Sequence, residues 1–79
     1  MSTADLIHAV GLALYGETYQ REFSRAVRVN RRTLSRWTAG VAEPRPRVWA
    51  DILRLVEDRH RELAELIKAI AARVGPGEQ

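Results

Sequence analysis

Apolar residues recur along this chain at helical rather than strand spacing. Glycines, prolines and polar caps cut the pattern into four or five segments. Leu6, Ile7, Val10 and Leu14 share one helical face and predict a first helix over residues 3–15. Thr3 is its expected N-cap, Asp5 suits the first turn, and Gly16 is expected to close the end in a left-handed conformation. Gly11 inside this helix costs about 1 kcal/mol against alanine, so it marks either a close helix contact or nothing. A second helix is predicted over residues 19–27, with Thr18 as candidate cap and Phe23 and Val27 stacked at i, i+4. A third begins after Asn30, a strong N-cap, and ends at Gly40. Only Arg28 and Val29 separate the second helix from that cap, and two short helices joined so tightly form a helix-turn-helix, here spanning 19–40.

"VAEPRPR" (41–47) reads as a loop, because its two prolines hold the preceding residues extended. From about residue 47 to residue 74 the pattern is helical again, and "GPGEQ" reads as a stop followed by a frayed tail. Val56, His60, Leu63, Ile67, Ile70 and Val74 repeat at alternating spacings of four and three, which is a coiled-coil seam. Trp49, Ile52 and Leu53 extend the apolar face toward the helix start. A continuous helix over this range would be about 42 Å long, more than a small body can cover. Either it breaks between residues 57 and 61, or its far half meets another chain. The expectation is a homodimer with those six residues at the interface; the alternative is that the far half folds back on the first helix. The predicted fold class is all-α: a compact domain of four to five helices with a central helix-turn-helix and a long C-terminal helix.

At 79 residues the chain reads as one domain. A chain this short buries only about 60% of its unfolded surface, and pairing with a partner is one common remedy. It has no cysteine, hence no disulfide frame and no thiolate zinc site. The absence of a basic leader with a cleavage site and of a long apolar run leads to the expectation of a cytoplasmic protein. Net charge is only +3, but residues 19–47 hold eight arginines against two acids, Glu22 and Glu43, for a local +6, while the remainder is net −3. Localised positive charge favours a polyanionic partner. The competing explanation is a solvated arginine-rich surface from a compositional bias, since the chain has one lysine and twelve arginines.

The third helix sharpens this. With Leu34 as origin of a helical wheel, Trp37 falls beside it, whereas Ser35, Ala39, Arg32 and Arg36 lie between about 100° and 200° away. Arg31 sits on the flank. The outward face is arginine, serine, arginine and a small residue. Arginine's planar fork donates two hydrogen bonds to O6 and N7 of guanine in the major groove, and it also pairs with phosphates. A serine hydroxyl adapts to several bases. An ordinary exposed helix face carries mixed charge, but no acid lies between Glu22 and Glu43.

The segment "QREFSRAVRVNRRTLSRWTAG" (20–40) resembles the helix-turn-helix of lambda-repressor-like, XRE-type transcriptional regulators of phages and bacteria. Phe23, Val27, Val29, Leu34 and Trp37 stand at the motif's packing positions, and the neighbouring helices fall in compatible places. The resemblance implies that Arg31, Arg32, Ser35 and Arg36 contact bases. It places Gln20, Arg28 and Thr33 on the DNA backbone; Asn30 is expected to join them, and Arg45 and Arg47 to add phosphate contacts from the loop. The homodimer expected from the seam would read an inverted-repeat operator and most simply repress by occluding a promoter; self-repression of a small phage or mobile-element operon is what the family analogy adds. Two positions depart from the pattern. Ser24 replaces the usual alanine at the fifth position and is small enough to fit. Arg28 replaces the usual glycine at the ninth, so either the turn differs or Arg28 adopts a positive φ, reaching a phosphate.

Catalytic and metal signatures are sparse. Asp5/His8 and Glu57/His60 are isolated i, i+3 pairs, poor evidence for a metal. No glycine-rich phosphate loop, nucleophile elbow or HExxH motif occurs, so the expectation is a binder with no cofactor, no metal and no evident small-molecule ligand, not an enzyme. The alternative function is a protein-interaction module whose basic face docks an acidic partner such as a polymerase subunit, a toxin or a defence protein. RNA binding is weaker, since clustered aromatics that stack unpaired bases are missing and Trp37 is better explained as core.

Overall fold

The computed structural model describes residues 1–75, so the expected tail at 76–79 lies outside the described residues. Four helices follow one another: α1 (Thr3–Tyr15), α2 (Gln20–Ala26), α3 (Arg31–Thr38) and α4 (Pro46–Val74), with no strand among the described residues. The all-α fold read from the hydrophobic spacing is the one observed, with four helices.

Local chemistry sets most of the boundaries. Asn30 is extended and its Oδ1 accepts from the Thr33 N–H at 2.7 Å, which caps α3. Pro46 opens α4 at a position where its missing N–H costs nothing, one residue before the predicted start. Three expected details are corrected. Ser2, not Thr3, caps α1, accepting from the Asp5 N–H at 3.0 Å. The Thr3 hydroxyl instead donates to Glu43 at 2.9 Å and ties the 41–45 loop to α1. Thr18 does not cap α2: Tyr19 holds the N-cap position in a helical conformation with no side-chain cap, because the preceding turn runs straight into the helix. Gly16 does take a positive φ of 82°, but its ψ of −168° lies outside the left-handed helical region.

The core lies where α1, α2, α3 and the first turns of α4 converge. Ile7, Phe23, Val27 and Leu34 are fully buried, joined by Tyr19, Trp37, Val48 and Ile52. Gly11 does mark a close contact: the Tyr19 ring lies on it, and a Cβ added there would stand 2.5 Å from the ring. The Tyr19 hydroxyl meets His8 Nδ1 at 2.7 Å, so one side chain pins α2 to α1. Ser24 is buried at the position where an alanine was expected, its hydroxyl donating to the Arg21 carbonyl at 3.0 Å.

Helix α4 runs unbroken through residues 57–61, which removes the option of a break there. Its 29 residues make a rod of about 43 Å, and the molecule measures 53 × 22 × 20 Å. Only Val48 and Ile52 of α4 are buried; the far half leaves the body instead of folding back on it.

Candidate nucleic-acid interface

The turn between α2 and α3 determines how α3 is presented. Arg28 has φ 57°, the one positive-φ non-glycine residue among those described. Its N–H donates to the Arg25 carbonyl at 3.2 Å, and the Val29 N–H to the Ser24 carbonyl at 3.0 Å. These two bonds make a Schellman cap, which needs a left-handed residue at the position Arg28 occupies. The same cap closes α3, where Gly40 N–H donates to Trp37 at 3.1 Å and Val41 N–H to Arg36 at 3.0 Å, with Gly40 at φ 78°. One cap therefore has the residue the geometry favours and the other an exposed arginine. The turn is the ordinary one, and Arg28 tolerates the strain.

Helix α3 is mounted by its buried face. Leu34 is 0% and Trp37 3% exposed, which fixes the rotation of the helix about its axis. Arg31, Arg32, Ser35, Arg36 and Ala39 are all exposed, and Thr33 is half-buried. Among the described residues, none of the three α3 arginines has a carboxylate within salt-bridge distance. Helix α4 contrasts with this: Arg54, Arg59, Arg61 and Lys68 each pair with an acid three residues away. Most α4 cations are paired along the helix, while the α3 arginines face outward with no such pair among the described residues.

The other sequence-predicted contacts divide. Thr33, Arg45 and Arg47 come together along a groove of about 420 Å³ beside the start of α3, also lined by Val29, Trp37, Ala42 and Val48 and by the acidic Glu43. Arg47 is not wholly available there, since its guanidinium pairs with Asp51 at 3.0 Å. Asn30 already spends its side-chain oxygen on the cap, leaving its NH2 group to donate outward. Gln20 is half-buried in the first turn of α2. Sequence reasoning gave no role to Arg21 and Arg25, which are exposed one turn apart on α2; their i, i+4 spacing was the available signal. It also missed the Asp51 partner of Arg47, although the same i, i+4 spacing was in view.

His8 is engaged with Tyr19, and among the described residues no three His, Asp or Glu side chains cluster as a metal site would require. Burial raises the pKa values of Tyr15 and Tyr19 above the ordinary phenol value; at Tyr15 the nearby Arg59 charge opposes this and Glu22 adds to it. No described helix is long and apolar enough to cross a membrane. Fold and surface together define a small helical domain with a short helix-turn-helix displaying an uncompensated arginine face. No family model matches the chain, and no curated protein and no solved structure is significantly similar to it.

Proposed function

We propose that this protein is a sequence-specific, double-stranded DNA-binding regulator of transcription that works as a homodimer. Helix α3 enters the major groove. Arg32 and Arg36 read bases with Ser35 in support, and Arg31 lies on the flank within reach of bases or backbone. Gln20, Arg28, Asn30, Thr33, Arg45 and Arg47 hold the phosphate backbone. The observation that carries this reading is the α3 face: three arginines and a serine, exposed on a helix locked by Leu34 and Trp37, the arginines having no carboxylate within salt-bridge distance among the described residues. A cation fork held rigid and unpaired suits guanine edges and phosphates. Two copies read an inverted repeat, and the simplest output of a domain with this one surface is repression by occluding a promoter. The protein acts as a binder without cofactor or catalysis, in the cytoplasm.

The test is the Arg32→Ala/Arg36→Ala variant. Each bidentate base contact carries about 1–3 kcal/mol of discrimination, so the double variant should lose roughly 100-fold or more for its preferred duplex over a scrambled one. The dimer and the melting temperature should be unchanged. If wild type and variant bind all duplexes alike, the arginine face serves a protein partner instead.

A further inference from the structure

The DNA-facing reading leaves an apolar surface between α1 and α4 unused. A groove of about 320 Å³ runs between α1 and α4, with Ala9, Val10 and Ala13 on one wall and Val56, His60 and Leu63 on the other. A second groove of about 250 Å³ continues it past Val10 and Val56 to Leu6, Trp49 and Leu53. Leu63 at the end of this groove, and Leu66, Ile67 and Ile70 on the rod beyond it, are 50–65% exposed. A groove without filling and a rod without cover occur in one chain.

We propose that the groove receives the projecting half of α4 from a second copy, in an antiparallel α4–α4 pair with one defined register. This rests on the homodimer reading above and says how that dimer is built. Leu53 faces Ile70 of the second copy, Val56 faces its Ile67, His60 its Leu63, and Trp49 its Val74. In heptad terms Leu53, His60, Ile67 and Val74 occupy one seam position and Trp49, Val56, Leu63 and Ile70 the other, and this register sets each of the first against one of the second.

Charge selects the register. Here Glu57 approaches Lys68 of the second copy, and Arg59 approaches its Glu62. A slip of one heptad toward the helix starts brings Glu57 against Glu57 and Arg59 against Arg59. A slip the other way leaves Trp49 and Leu53 without partners and brings Arg59 toward Arg73. A parallel pair stacks His60 on His60 and leaves the α1 wall of the groove uncovered. The antiparallel register also explains Leu66, which lies off the seam on the side of α4 that faces the body of the other copy. The two-fold axis passes between Arg61 and Glu62. The body anchors Val48 and Ile52 lie about 17 Å from it along α4, so the two helix-turn-helix bodies stand roughly 35 Å apart along the paired helices, on the order of one turn of duplex DNA.

The chain has no cysteine, so introduced thiols report contacts cleanly. Leu53 and Ile70 are exposed and about 25 Å apart within one helix, too far for an intrachain disulfide. Under mild oxidation the Leu53→Cys/Ile70→Cys variant should become a covalent dimer, while either single variant should not. Ala13→Arg, on the exposed part of α1, should weaken dimerisation by about tenfold or more with helix content unchanged. Sedimentation of the wild type supplies the reference mass. A dimer in which Leu53→Cys crosslinks to itself overturns the register but leaves the homodimer standing. A dimer insensitive to Ala13→Arg overturns the groove as the seat. A monomeric wild type at micromolar concentration overturns both this inference and the homodimer on which it rests.

Discussion

Arg28 occupies a backbone position that glycine would fill at lower cost, and replacing it separates what the residue does for the fold from what it does for binding. At φ 57° a residue with a Cβ stores roughly 1 kcal/mol or more of local strain. Arg28→Gly removes that strain. It also gives the unfolded chain more freedom, which takes back about 0.5 kcal/mol. The net expectation is a gain of about 0.5–1 kcal/mol, since both cap hydrogen bonds, Arg28 N–H to Arg25 and Val29 N–H to Ser24, belong to the backbone and survive. For a domain of this size that is a rise of roughly 2–8 °C in melting temperature. DNA binding should move the opposite way. Loss of one phosphate contact per copy, two per dimer, makes the dependence of log affinity on log salt shallower by about 1.8. Arg28→Ala completes the design, because it keeps the strain and loses the guanidinium, so it should weaken binding without the thermal gain. Gly40→Ala tests the same cap at the end of α3. There the φ of 78° makes any side chain costly although an added Cβ would meet only Ala4 Cβ at an ordinary 3.9 Å, and the expected loss is about 1 kcal/mol. Thermal melts followed by circular dichroism and salt titrations of duplex binding measure both quantities. If Arg28→Gly melts lower than wild type, the Arg28 side chain stabilises the fold and the strain argument fails. If it melts higher but binds with an unchanged salt slope, Arg28 is not a phosphate contact.

Three further outcomes follow from the packing. Gly11→Ala improves helix propensity by about 1 kcal/mol but sets a methyl 2.5 Å from the Tyr19 ring, and overpacking of this kind costs about 1–3 kcal/mol, so the melting temperature should not rise and should most often fall; a clear rise would mean that the ring shifts freely. Asn30→Ala should cost about 1 kcal/mol through loss of the cap on Thr33, and Asn30→Asp should restore most of it in a urea melt; an Ala variant as stable as wild type would remove the cap from the account. The raised pKa values of Tyr15 and Tyr19 mean that the unfolded chain gives up its phenol protons first as pH rises, so the stability they contribute is full below pH about 10 and is lost as pH climbs through the folded values. Tyr19→Phe should therefore flatten the alkaline decline in stability, and an unchanged decline would clear Tyr19 of that role.

What could be read from the sequence was mostly what is decided within a few residues. Asn30 before a helical period, Leu34 and Trp37 on one face and Gly40 after it together describe α3, because cap chemistry and periodicity are local. Arg28 stood out only through the resemblance, whose motif has glycine at that position; the cap hydrogen bonds then show why a left-handed residue is needed there. Decisions made between distant elements were hidden. Ser2 and Thr3 are equally good caps by local chemistry, and the choice falls to Ser2 because Thr3 finds Glu43 forty residues away. Tyr19 looked like the opening residue of a helix, while its larger part is to cover Gly11 and meet His8 on α1. The exposed arginine face was legible from the wheel; that Glu43 bonds Thr3 and the α4 charges pair among themselves, leaving the α3 arginines with no carboxylate in salt-bridge distance among the described residues, was not. The seam on α4 was legible from spacing; the α1 wall beside it was not, because Ala9 and Ala13 carry little periodic signal.

The central claim is that α3 reads a DNA sequence, and selection from a randomised duplex library tests it most directly. Binding at about 150 mM salt with excess competitor DNA suppresses phosphate attraction, and sequencing the retained fraction reveals any preference. The expected result is an enriched inverted repeat with guanines in each half-site, whose centre-to-centre spacing reports the separation of the two recognition helices. Retention without enrichment, fading smoothly as salt rises, would contradict the claim and assign the arginine face to a partner other than a DNA sequence.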